Sequence, residues 1–501
     1  MGLAGTVKIL SRRRSRIHAK VPFPNDNRTF SCGTKILVES VFSDTGLNDF
    51  LDGLKRDQGE RVSNEVVALV ANSVEMTGIS VNRLDRMLSD DSIRKEYGLG
   101  NAHVKSIYRT VDRIGDRSDE IVKYLGMVLR TKYNVNMDVV FTDWTSMYFE
   151  TSPNSVIKFG YSRDHRSDRP QINVGLSMDS DSGMPIGLTM MPGNILDVTH
   201  FEDTFKQISP LLNKDSVIVF DNGAYSKKNS DLLEENGVGF VTRLELNKSE
   251  IDYVKNHRSE WNMVDDEIMC IERTGYLGRK RHIFFSLKRR LEIFDQYRRK
   301  AEHDYDEMEE MRLALEYGKK PRKKYRNGNC FVNTHLSYQF PLKGIDRDSA
   351  IDIAVKNMVT GREGLFTLMS NRPFSPSKVL ELYRSRNSIE TAFRDLKHGI
   401  DWRPANCSKP SAIKGRVLVS FLALFCMSMV RFLYPEFRHL SAESMTEQLT
   451  TFSLTLRRHQ DGSEDRIFSN FCPIIRRLRG MKSSSSPRKS PDQMSITSFA
   501  A

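Results

Sequence analysis

The segment Y-R-S-R-N-S-I-E-T-A-F-R-D-L-K, residues 383–397, decides how the chain is read. Its tyrosine, one arginine, its glutamate and its lysine fall at gaps of three, four and seven: Tyr383, Arg386, Glu390 and Lys397. In an α-helix such gaps keep side chains on one face. At about 100° per residue the four point into a sector roughly 60° wide. Leu382, Ile389, Phe393 and Leu396 make an adjacent apolar stripe that should face a core. The polar quartet thus borders the buried edge of the helix, which suits a site and equally suits a salt-bridged surface. Ser375 stands where a serine cap would open the helix.

The whole chain has 501 residues, enough for two to four domains. Lysine and arginine number 76 against 64 aspartates and glutamates, a net charge of +12. A balance this basic, with an isoelectric point near 9.3, points to a polyanionic partner, most often nucleic acid. The six cysteines (Cys32, Cys270, Cys330, Cys407, Cys426 and Cys472) form no C-x-x-C pair, so neither a disulfide framework nor a zinc site is expected. The arginines at 12, 13, 14 and 16 are not followed by the apolar run of a signal peptide. The apolar run at 417–430 falls short of the roughly 20 residues that span a bilayer. It reads as a buried helix, and the expectation is a cytoplasmic protein with no membrane partner.

Along the chain the texture changes several times. Residues 1–30 form a basic arm, expected to lack structure of its own and to track phosphates. Residues 31–130 read as short helices and as the DNA-binding region; the break at E-Y-G-L-G-N, 96–101, resembles a helix-turn-helix joint and equally suits a plain helical bundle. From 131 to 245 the runs M-D-V-V-F-T-D (137–143), I-N-V-G-L-S-M (172–178) and P-I-G-L-T-M-M (185–191) read as a strand meander. A helix near 200–212, a strand at 216–221, a helix at 230–236 and a strand from 239 follow, which makes an α/β layer with a mixed sheet. Residues 246–362 are charge-rich and too long for a loop, so they read as an inserted subdomain with a polar helix at 288–317 and a basic cluster at 319–326. The α/β layer resumes over 363–440 with the Glu390 helix. Residues 441–501 end in a low-complexity basic tail from Ser483.

Two carboxylates stand in unusual places. Asp143 interrupts an apolar strand and Asp221 ends another, where burial costs energy unless a cation or hydrogen bonds compensate. Each has a plainer reading: Asp221-Asn222-Gly223 is also a turn signal, and Asp143 could lie on an exposed strand face. With Glu390, however, the two aspartates make the ligand set expected of a pair of Mg²⁺ ions, for which Mn²⁺ can substitute. Such a pair activates a water or 3′-hydroxyl and stabilises the leaving oxygen in phosphoryl displacement. Arg386 and Lys397 lie within two turns of Glu390, placed to hold flanking phosphates. Tyr383 could donate to a phosphate or stack on a base.

The spacing Y-x2-R-x3-E-x6-K, met by Tyr383, Arg386, Glu390 and Lys397, resembles the hallmark of prokaryotic insertion-sequence transposases with an Asp-Asp-Glu site. Further likeness lies in G-Y-S-R-D-H-R-S-D-R-P-Q (160–171), D-N-G-A-Y (221–225) and the pair Arg403-Pro404. The resemblance covers about 130–435. It implies a ribonuclease-H-like fold: a mixed sheet with helices, interrupted by the insertion and preceded by the helical N-terminal region. It further implies Asp143, Asp221 and Glu390 as catalytic metal ligands, and Tyr383, Arg386 and Lys397 as DNA contacts. The partners implied are double-stranded DNA, as inverted-repeat ends and as target, and a second copy of the chain on that DNA. The location implied is the cytoplasm of a prokaryote, at the nucleoid. Neither a P-loop nor a G-x-S-x-G elbow occurs, so no nucleotide cofactor is expected. Two rival readings are a nuclease of the same fold that does not join strands, and a catalytically silent DNA-binding descendant. Trp261 reads as a packing residue, D-S-D-S-G (179–183) as a hairpin turn, and H-D-Y-D-E (303–307) as a solvated helix face.

Overall fold

A computed structural model of the chain describes residues 27–54, 61–75, 89–100, 102–275, 278–318, 346–399, 408–459 and 463–481. Most of the basic arm, the cluster at 319–326, Cys330, Arg403-Pro404, Cys407 and the tail from Ser483 lie outside these residues. In chain order the strands are β1 (Asn27–Ser31), β2 (Val139–Tyr148), β3 (Gln171–Asp179), β4 (Pro185–Pro192), β5 (Val217–Phe220) and β6 (Gly239–Leu244). They continue with β7 (Asn262–Met263), β8 (Ile268–Thr274), β9 (Lys280–Ser286), β10 (Leu365–Ser370), β11 (Ser453–Arg458) and β12 (Glu464–Ser469). The chain divides into two compact units, Met1–Ser216 with Arg386–Ala501, and Val217–Ser385.

In the first unit β2, β3 and β4 form the expected antiparallel meander. The first strand runs on through S-M-Y instead of stopping at Asp143. Asp179 turns the β3–β4 hairpin by accepting from the Ser182 amide at 2.9 Å, and Gly183 there takes φ +66°. All nine residues of β3 are buried, which requires cover on both faces. The helices Asp197–Ile208 and Asn387–Arg394 both pack on β3.

The apolar run is the helix Pro410–Leu433, with every residue from Val417 to Val430 buried. By length and composition it is long and apolar enough to cross a membrane, yet here it is the core around which Gly33–Thr45, Val62–Val74, Val104–Asp116 and Ser118–Thr131 pack. Glycines let one of these pairs close up. A Cβ on Gly115 would lie 1.9 Å from the Ser411 carbonyl oxygen, and one on Gly415 2.1 Å from that of Val111. Residues 27–30, the end of the arm expected to lack structure, belong to β1, which pairs antiparallel with β11. No local pattern signals this pairing, because the partner lies more than 400 residues away.

In the second unit β5 and β6 are parallel neighbours joined by the helix Lys227–Glu235, whose N-cap is Ser226. The sheet runs β5-β6-β10-β9-β8-β7, so strands from 246–362 extend the same layer. The polar helix is Leu287–Glu316; it packs with Arg347–Met358 around Ala301, Met308, Ala350, Ile351 and Ala354. Trp261 meets the Phe285 ring edge-on, in line with a packing role. Three antiparallel strands, a helix, a strand, a helix and a parallel strand, in that chain order, make the fold α/β and ribonuclease-H-like, as the resemblance implied.

Candidate active site

Strand alternation sends neighbouring residues of β2 to opposite sides. Trp144 turns to the helix Asp197–Ile208, where its indole Nε1 donates to Thr204 Oγ1 at 3.3 Å and its ring lies 5.9 Å from that of Phe201. Asp143, on the other side, turns to the segment 383–397. Its Oδ1 accepts from the Trp144 amide at 2.9 Å, and its Oδ2 lies 3.2 Å from Arg386 Nη1. Arg386 Nη2 donates to Glu390 Oε1 at 2.7 Å. One guanidinium thus bridges two carboxylates that are 247 positions apart in sequence. Arg386 is itself buried, while the Glu390 side chain is 52% and that of Asp143 22% exposed, so both acids remain open to exchange with solvent ions.

The opening segment is not one regular helix. Pro376–Ser385 ends before Arg386, Asn387–Arg394 begins after it, and Asp395–Gly399 is a π-turn. Ser375 accepts from the Lys378 amide at 3.3 Å, the cap the sequence suggests. The apolar stripe behaves as expected, with Leu382, Ile389, Phe393 and Leu396 all buried. The single-face reading of the quartet does not hold. A π-turn closes on the fifth residue, not the fourth, which resets the angular register before Lys397. Its ammonium donates to Asp164 Oδ1 at 2.7 Å.

Sequence reasoning misses Asp164 as a site residue, although its segment, 160–171, is part of the resemblance. That segment is tied down at several points. Its Arg163 amide donates to Ser146 Oγ at 2.9 Å, the Arg163 side chain pairs with Asp197, and Arg166 lies 5.0 Å over the Tyr148 ring. In the second unit Asp221 follows β5, and the Tyr383 hydroxyl donates to its Oδ1 at 3.1 Å. Each of the three expected DNA contacts, Tyr383, Arg386 and Lys397, is therefore bonded to a carboxylate in this structure.

The donor set fits hard divalent cations. A buried guanidinium between Asp143 and Glu390 shows that the two acids converge on a shared positive charge, and carboxylate oxygen is the ligand Mg²⁺ prefers. Among the described residues the only three such groups within 4.8 Å of one another are His303, Asp304 and Glu307, on the long helix.

No curated protein matches the chain in sequence. Among solved structures it is similar to a cryo-EM structure of the piggyBac transposase synaptic complex with hairpin DNA. The identity is 12%, over 95% of this chain and 89% of that one, and the TM-score is 0.41. The family model described as transposase DDE domain matches residues 136–426, a stretch that takes in Asp143, Asp221 and Glu390. With more than half of its length matched, the chain belongs to the transposase DDE domain family and is a DDE-type transposase.

Proposed function

We propose that this transposase serves an insertion sequence, binds the inverted-repeat ends of its element as a dimer, and cleaves and rejoins DNA strands with Mg²⁺. The observation that carries the reading is the convergence of Asp143 and Glu390 on one cation, the Arg386 guanidinium. Asp143, Asp221 and Glu390 are the residues that hold the metal ions. Two Mg²⁺ ions, when bound, supply activation of a water or 3′-hydroxyl and neutralisation of the leaving oxygen. The chain's own groups bind and orient the DNA. Arg386 and Lys397 contact backbone phosphates, Arg386 through its planar fork and Lys397 as a point charge. Tyr383 holds Asp221 by its hydroxyl and supports the same backbone. The helices within 31–130 and the basic arm bind the element ends, 246–362 acts as the inserted part of the catalytic region, and the protein works in the prokaryotic cytoplasm on nucleoid DNA.

The test is an assay of joining. The protein is incubated with Mg²⁺, a plasmid carrying its gene with the flanking DNA, and a second plasmid as target. Products in which the flanked segment is joined to the target support the reading. Cleavage without joining would favour a hydrolytic nuclease, and binding without either would favour a silent descendant.

A further inference from the structure

A pocket of about 370 Å³ in the second unit carries an excess of positive charge. Arg243, Lys288, Arg289 and Arg384 line it, with Glu267 and Glu292 as its acids. Arg384 is taken, since its Nη1 donates to Asp265 Oδ2 at 3.2 Å. Among the described residues Arg243, Lys288 and Arg289 make no ion pair. The two arginines are positioned by the fold. Arg243 is the one residue of β6 that is not buried, so its side chain is the one this strand offers to the pocket. Lys288 and Arg289 stand in the first turn of Leu287–Glu316, where the Arg289 amide is capped by Ser286 Oγ at 3.2 Å and its guanidinium lies 5.6 Å over the Phe366 ring. Partial desolvation and then the charge of Arg243 lower the pKa of the Arg289 guanidinium, while Glu292 and Tyr383 oppose the shift.

Two arginines that repel each other, one carried by a strand and one stacked on a ring, offer guanidinium donors suited to a tetrahedral oxyanion. The positive end of the helix dipole adds to the same field. Tyr383, which bonds Asp221, also lines the pocket. We propose that Arg243, Lys288 and Arg289 form a phosphate-binding site whose ligand is a backbone phosphate of the DNA strand. The DNA source rests on the function proposed above; the anion site does not.

The experiment uses the full chain. A labelled duplex of random sequence is titrated over a range of NaCl concentrations with wild type, Arg243→Gln/Arg289→Gln and Arg243→Lys/Arg289→Lys. Removing one cation from a backbone phosphate should lower the slope of log affinity against log salt by about 0.9. The glutamine pair should therefore show about one to two such steps, and the lysine pair should keep the wild-type slope. Lys288→Gln, at an exposed position, gives the same readout should the glutamine pair fail to fold. A second arm compares thermal melting in inorganic phosphate and in chloride at equal ionic strength. A phosphate-dependent rise that is absent from the glutamine pair, with no change of slope, keeps the site but replaces DNA by a free phosphate ligand. An unchanged slope with no phosphate response overturns it. Because the readout is binding, its failure leaves the metal-site reading untouched, and loss of cleavage in the acid variants leaves this site untouched.

Discussion

Arg386 reaches Glu390 across one helical turn, 2.7 Å from Nη2 to Oε1, and holds Asp143 with its other nitrogen. A buried arginine between two acids is a counter-ion in the place where a metal ion would add charge. Removing it leaves two carboxylates facing each other with only solvent to screen them. Arg386→Met should lower the melting temperature without metal and raise the affinity for Mg²⁺. A half-exposed pair contributes up to about 1 kcal/mol, so the gain should be roughly fivefold. Calorimetric titration with Mg²⁺ measures it; a weaker affinity than wild type would show that Arg386 does not compete with the cation.

Lys397 and Asp164 are coupled at 2.7 Å, with side chains 25% and 30% exposed. Their partial exposure limits the pair to about 0.5–1 kcal/mol. A double-mutant cycle with Lys397→Met and Asp164→Leu should return a coupling energy of that size from urea unfolding. Zero coupling would mean the ion pair is not maintained in solution. If Lys397 also meets a phosphate, as proposed, Lys397→Met should reduce the salt slope of DNA binding by about 0.9.

Acid should destabilise the first unit through His200. The ring is fully buried beside Trp144, and burial brings its pKa down from 6.5 to about 3. The folded state keeps the neutral ring, whereas the unfolded chain takes up a proton below 6.5. Stability from this residue is thus complete above pH 6.5 and is lost as pH falls towards 3. From pH 7 to pH 5 the loss should be about 2 kcal/mol. His200→Gln should remove that part of the pH dependence of urea unfolding. An equal dependence in the variant would contradict the assignment. His282, also buried and also shifted down, acts in the same direction.

Gly415→Ala sets two effects against each other. Alanine favours a helix interior by about 1 kcal/mol over glycine. The new methyl would lie 2.1 Å from the Val111 carbonyl oxygen, which is backbone and can move only if the helix moves. Overpacking of this kind costs about 1–3 kcal/mol. The net expectation is a lower melting temperature; a higher one would show that the two helices can part freely.

Local pattern carries much of this structure. A lone acid in an apolar strand, an acid at a strand end and a glutamate beside an apolar stripe are legible because strand and helix periods fix which side chains share a face. What escapes depends on pairings far apart in sequence. β1 cannot be seen without β11, and Arg243 lines one pocket with Arg289 only because β6 and the long helix share one unit. Lys397 escapes for a different reason: its pairing with Asp164 follows from a π-turn, which breaks the period used to place it.

Cleavage of DNA bearing the element ends tests the central claim most directly. With a plasmid carrying the gene and its flanking DNA as substrate, Mg²⁺-dependent cutting is measured for wild type, Asp143→Asn, Asp221→Asn and Glu390→Gln. Loss of a residue that merely orients a metal ligand costs about 10–100-fold. Loss of a ligand itself should therefore cost more than about 100-fold, with DNA binding retained in all three variants. Near wild-type cutting by any one of them would contradict its place in the metal site.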